Sequence, residues 1–158
     1  MAIPIVRIIE LLNELAFSIG IGSVTPDETG SVTLLFDNEH EVTFMPDDGA
    51  DVFFQCEIGD ASMLDADGCR ALLEASFSQT DGAAFAIHPA LQKVVLWKRY
   101  GEFASRAEFE KVINDFLGLV VSWKQRLASG DFSAEGASES TEPQPTQIPG
   151  LATNFIQV

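Results

Sequence analysis

Positive charge is scarce in this chain. Nine Lys and Arg stand against 24 Asp and Glu, for a formal net charge of −15. Between Arg7 and Arg70 there is no basic residue, while Glu10 to Asp67 supplies 14 acids. Such a field repels a phosphate backbone and an anionic bilayer, which argues against nucleic-acid and membrane partners. Cysteine is equally sparse. Cys56 and Cys69 are too few for a disulfide framework or a zinc site, and both read as reduced, buried thiols. Histidine is limited to His40 and His88, each read as an ordinary surface or rim residue. No Ser sits in a G-x-S-x-G setting, and no Gly-rich loop precedes a helix in the P-loop manner. With no constellation for catalysis, no enzyme activity and no cofactor are expected. Long apolar runs are also missing: nothing approaches the roughly 18 residues of a membrane span. The apolar start, Met1 to Phe17, carries Arg7, Glu10 and Glu14 at helical spacing, unlike a signal peptide. The expected location is the cytosol.

What is present is a core. Hydrophobic residues make up 46% of 158 residues, enough for one packed domain and too few residues for two comfortable ones. Pro4 suits the first turn of a helix running to about Phe17, with Gly20 and Gly22 beyond its end. Ile5, Ile8, Leu12 and Leu15 form its stripe, and Ile9, Leu11 and Ala16 widen the apolar arc beyond what a surface helix usually needs. Three strands follow, at Val32–Phe36, His40–Met45 and Asp51–Ile58, separated by Asp37-Asn38-Glu39 and by the turn signal Pro46-Asp47-Asp48-Gly49. Asp65 caps a second helix, Ala66 to Phe77. Ala84–His88 and Gln92–Tyr100 make a second hairpin around Pro89-Ala90.

Ser105 and Glu108 form a capping box for a third helix, whose stripe runs from Phe109 through Val112, Phe116 and Val120 to Leu127. Gly118 costs about 1 kcal/mol inside that helix and is read as permitting a close approach. Residues 1–127 therefore read as one α+β domain: an antiparallel five-stranded sheet with three helices, in the order α-β-β-β-α-β-β-α. Helices one and three are expected on one face of the sheet, with helix two near the other. Residues 128–158 read as a flexible Ser-, Glu- and Pro-rich tail that regains Ile, Leu, Phe and Val at its tip.

Two acidic groups invite a metal reading. Asp47, Asp48 and Asp51 flank Gly49, and Asp60, Asp65 and Asp67 precede helix two. Neither has the alternating ligands and closing Glu of a calcium loop, so solvated turns are the better reading and no metal is expected.

One stretch carries a resemblance. Leu72-Leu73-Glu74-Ala75-Ser76-Phe77, then Asp81-Gly82-Ala83-Ala84-Phe85-Ala86-Ile87-His88-Pro89, then Val94-Val95-Leu96-Trp97-Lys98-Arg99-Tyr100 resembles the central signature of type III secretion chaperones of the CesT/SycE-like class. Ser76 stands where that family's signature has Asn. The resemblance implies a homodimer joined mainly through helix two and neighbouring strands, with Leu72, Leu73, Phe77 and Trp97 as interface residues. It also implies a secreted effector bound in extended form across helix one and the sheet, with Ile5, Ile8, Leu12, Leu35, Phe44 and Phe53 as contacts. The secretion-system ATPase is a further implied partner, and the chaperone itself would hydrolyse no nucleotide. Two other classes stay open at this point: an adaptor of the same fold that binds a folded partner, and a small enzyme with an unrecognised site.

Overall fold

The architecture was read from a computed structural model, which describes residues 4–18, 20, 22–47, 51–101, 105–132 and 156–157; side chains are described for these except 4–6 and 156–157. The elements are α1 (Pro4–Ser18), β1 (Val32–Phe36), β2 (His40–Pro46), β3 (Val52–Asp60), α2 (Ala66–Ser78), β4 (Ala84–His88), β5 (Lys93–Tyr100), α3 (Arg106–Ser129) and β6 (Ile156–Gln157). The first eight reproduce the expected order. A 3-10 turn at Ala61–Met63 and the two-residue β6 were not foreseen.

All strand pairs are antiparallel, and the strand order is β4-β5-β3-β2-β1-β6. The first hairpin turns on Asp37 and Asn38, both at positive φ, with the Glu39 N–H donating to the Phe36 carbonyl at 3.0 Å. Asp and Asn are the non-glycine residues that tolerate this conformation best. Strand alternation then sorts each residue to a face. Val32, Leu34, Phe36, Val42, Phe44, Val52, Phe54, Cys56 and Ile58 are buried on one side. There they meet the stripes of α1 (Leu11, Leu12, Leu15) and α3 (Phe109, Ile113, Phe116, Val120, Trp123). Phe54 anchors this core, with ring centroids 4.7 Å from Phe44, 5.7 Å from Phe116 and 6.1 Å from Phe109.

The Ser105 hydroxyl accepts from the Glu108 N–H at the start of α3, as the capping box requires. The helix ends two residues beyond Leu127, at Ser129, with Gly130 in the left-handed conformation and Phe132 packed against the core. Residues 133–155, where most of the expected tail falls, lie outside the described residues.

Gly118 is corrected: a Cβ there would meet nothing within 4 Å, so it makes no close approach. The close approach occurs at Gly59, where a Cβ would stand 2.2 Å from a methyl of Leu127. A register shift between Glu57 and Gly59 accompanies it, and together they let the end of α3 settle on β3.

The placement of α2 is also corrected. Phe85 of β4 stacks edge-on against Trp123 of α3 at 4.8 Å, and its backbone N–H donates to the Ser76 hydroxyl of α2. Arg126 of α3 donates to the Gln79 side chain at the end of α2. Leu72 and Ala75 join the same core. Helix α2 therefore lies on the same side as α1 and α3, along the β4 edge.

Candidate partner-binding surfaces

The consequence of three helices on one side is a sheet face that none of them covers. Cross-strand partners share a face, so the register assigns its rows. One row is Leu35, Glu41, Glu57 and Val95; the next is Thr33, Thr43, Gln55 and Trp97; the third is Met45, Phe53 and Arg99. Apart from Val95, these residues are half-buried or exposed. Thr33 and Thr43 share a hydrogen bond of 2.9 Å between their hydroxyls. Phe53 and Trp97 pack at 5.6 Å, and the Arg99 guanidinium lies 5.6 Å from the Phe53 ring centroid. Arg99 is held in turn by Asp47 at 2.9 Å and Asp51 at 2.5 Å. The acidic turn thus positions a cation beside an aromatic patch. Asp60 and Asp65 have local duties as well, accepting from the backbone N–H of Ser62 and Gly68 to cap the 3-10 turn and α2.

Of the six expected effector contacts, Leu35 and Phe53 fall on this open face. Ile8 (7% exposed), Leu12 (0%) and Phe44 (1%) are corrected to the core, where they have almost no free surface to offer a partner. The physical reason is parity and depth. Phe44 pairs with Phe54 rather than Phe53, so it points at the helices, and the stripe of α1 is consumed by β2 and α3. Ile5 lies within α1, but its side chain is outside the described part. Met45 and Trp97 were missing from the expected contacts, although their alternation with buried neighbours in the sequence marks them.

A second surface runs along α2 and β4. Leu73 is 69% exposed and Phe77 95% exposed, and Ile87 is exposed beside them. Between α2 and the β4–β5 hairpin lies an apolar cavity of about 280 Å³, lined by Leu64, Cys69, Leu72, Leu73, Phe85, Ala86, Ile87 and Val94. Exposed large apolar groups clustered beside an apolar hollow are the mark of an interface. Of the expected dimer residues, Leu73 and Phe77 are free for contact. Leu72 is buried beneath them, and Trp97 stands apart on the open sheet face.

Cys56 and His40 are both buried and held in place, whereas the other free thiol, Cys69, is half-buried at the α2 cavity. Burial pushes the Cys56 thiol up to about 12, which removes its nucleophilic form at neutral pH. Burial first, and the nearby Lys124 cation second, lower the His40 pKa, and the Lys124 ammonium donates to its Nδ1 at 2.9 Å. Among the described residues no group of three or more His, Cys, Asp or Glu could hold a metal ion. Among them, too, no helix is long and apolar enough to cross a membrane.

The model of the Tir chaperone protein (CesT) family matches residues 10–124. Solved structures share the fold. A chain of the ExsC–ExsE complex is 23% identical with a TM-score of 0.68, over 80% of this chain and 97% of that one. A chain of the HopA1–SchA chaperone–effector complex is 12% identical with a TM-score of 0.64, over 79% and 98%. A chain of the Yersinia pestis type III secretion chaperone SycH in complex with a fragment of YscM2 is 18% identical, TM-score 0.55, over 73% and 98%. No curated protein sequence matches the chain.

Proposed function

Because the chain belongs to the Tir chaperone protein (CesT) family, we propose that it is a bacterial cytoplasmic chaperone that holds the N-terminal segment of a type III secreted effector in extended form. The observation that carries this reading is the sheet face bearing Met45, Phe53 and Trp97, which none of the described helices covers. An extended segment suits such a face, since main-chain pairing at a strand edge supplies affinity and alternate side chains find the apolar patches. The acidic body suits it too: net charge of this size keeps a carrier soluble while part of its apolar surface stays open.

We further propose a symmetric homodimer through the α2–β4 surface. Leu73, Phe77 and Ile87 would fill the partner's matching hollow, and a stable contact of this kind buries about 1,200–2,000 Å² in total. The dimer doubles the surface available to a wrapping client and lowers the ordering cost by presenting it preformed. No chemistry is required of the chaperone, and nucleotide hydrolysis is left to the secretion-system ATPase.

The test is co-expression with the N-terminal segment of a type III effector encoded beside this chain. A soluble complex should form without nucleotide. Phe53→Asp should abolish it, because the aromatic patch is lost and an apolar client would have to desolvate the new carboxylate together with the neighbouring Arg99. Failure to retain the segment, with retention of a folded partner instead, would favour an adaptor of the same fold.

A further inference from the structure

The outer edge of the sheet is not empty. The two residues of β6 run antiparallel along β1, Gln157 opposite Leu34 and Ile156 opposite Leu35. We propose that the β1 edge is a strand acceptor whose resident occupant is the chain's own C-terminal tip, and that a client segment must displace this tip to pair there. The client half rests on the reading above; the self-occupancy does not.

Several features support the assignment. Without β6, strand β1 would present a row of unpaired N–H and C=O groups, the kind of edge that recruits any extended chain. The tip is suited to that edge by composition. Residues 148–158, Ile-Pro-Gly-Leu-Ala-Thr-Asn-Phe-Ile-Gln-Val, contain no Asp, Glu, Lys or Arg, whereas the preceding stretch carries Asp131, Glu135, Glu139 and Glu142. On a body of net charge −15, the neutral end is the part of the tail that can lie against the sheet without like-charge repulsion. Thr153, Phe155, Ile156 and Val158 are also good strand formers. Residues 133–155 connect Phe132 to Ile156, and a chain of that length spans up to roughly 80 Å when extended, more than enough to reach any point on a domain of this size.

The site also adjoins the client surface. Leu35, opposite Ile156, belongs to the open face. An occupant of the β1 edge therefore borders the rows on which an effector would lie. The pairing described is two residues long, and because the tip belongs to the same chain its docking is intramolecular, so a client must outcompete a local occupant. If the tip occupies the edge about nine-tenths of the time, a competitor sees roughly a tenfold weaker apparent affinity. The device would shield a sticky edge until a longer, better-paired segment arrives.

The test needs no effector, so its outcome is independent of the client reading. Ile156→Pro in the full chain removes an N–H and disfavours strand pairing at the tip. Two quantities are then compared with wild type: hydrogen exchange across Val32–Phe36, and the affinity of a fluorescently labelled synthetic peptide of residues 148–158. The variant should exchange faster in β1 and bind the peptide roughly tenfold more tightly, and added peptide should restore protection. Exchange across α3 should be the same in both proteins. Equal β1 exchange and equal peptide affinity would overturn the proposal. So would faster exchange in α3, which would make the tip a structural element. Protection that grows with protein concentration would assign the tip to a second copy, and would overturn self-occupancy as well.

Discussion

Phe53 and Phe54 are adjacent in β3 and face opposite ways, which makes them a matched pair for separating core from surface. Phe54 is 0% exposed and touches Phe44, Tyr100, Phe109 and Phe116. Phe54→Ala deletes a large side chain from a site ringed by other aromatics, which relax poorly, so about 3–5 kcal/mol is lost. For a domain of this size each kcal/mol shifts the melting temperature by about 3–5 °C, giving a drop of about 10–20 °C. Phe53→Ala removes only a tilted contact with Trp97 and the Arg99 guanidinium above its ring. Those are worth about 1–2 kcal/mol together, or a few degrees. Thermal unfolding followed by circular dichroism would read both. Equal losses from the two variants would mean that Phe53 is covered as completely as Phe54 and that the open face does not exist.

Other outcomes follow from single features. Gly118→Ala should raise stability by about 0.5–1 kcal/mol in urea titration, since the helix gains a better former and the new methyl meets open space. Phe77→Glu should leave the melting temperature within a few degrees and convert the proposed dimer to a monomer by light scattering, because Phe77 is 95% exposed on one chain. A thiol reagent should label Cys69, half-buried on the α2 cavity, well before Cys56, whose buried thiol should react only on unfolding. His40 should make folding acid-sensitive. Its folded pKa lies below the ordinary 6.5 through burial and the Lys124 charge, with Glu39 and Asp37 opposing. The unfolded state therefore binds the proton more readily, and the contribution is full above pH 6.5 and lost as pH falls below it. The urea midpoint of wild type should drop more between pH 7.5 and 5.5 than that of His40→Gln; parallel curves would contradict this.

The order of elements was legible because periodicity is local. The α3 stripe, the capping box and the alternation in β5 each lie within one stretch of chain. Which face a residue serves was legible only in part. Alternation separates Val94 and Leu96 from Trp97 and Arg99, but placing Phe44 and Phe53 on opposite faces needs the pairing of Met45 with Phe53, and a register is a long-range property. The side chosen by α2 depends on Phe85 reaching both Trp123 and α2, contacts that no sequence window contains. For the same reason the apolar arc of α1 suggested a groove, whereas β2 and α3 consume Ile8 and Leu12. The exposed pair Leu73 and Phe77 was found because the resemblance pointed to it. A four-residue spacing on a short helix carries no sign of whether it faces core or partner. The β6 pairing escaped because the sequence marks the tip as apolar but carries no sign of which strand it meets.

An extended effector segment is proposed to lie on the sheet face that the described helices leave open. The most direct measurement is nuclear magnetic resonance of the complex, with the chaperone and then the effector's N-terminal segment isotopically labelled. The largest shifts should fall on Leu35, Met45, Phe53 and Trp97, and the bound segment should have extended-chain shifts without a fold of its own. Perturbations confined to other surfaces, or a segment that binds only when independently folded, would contradict it.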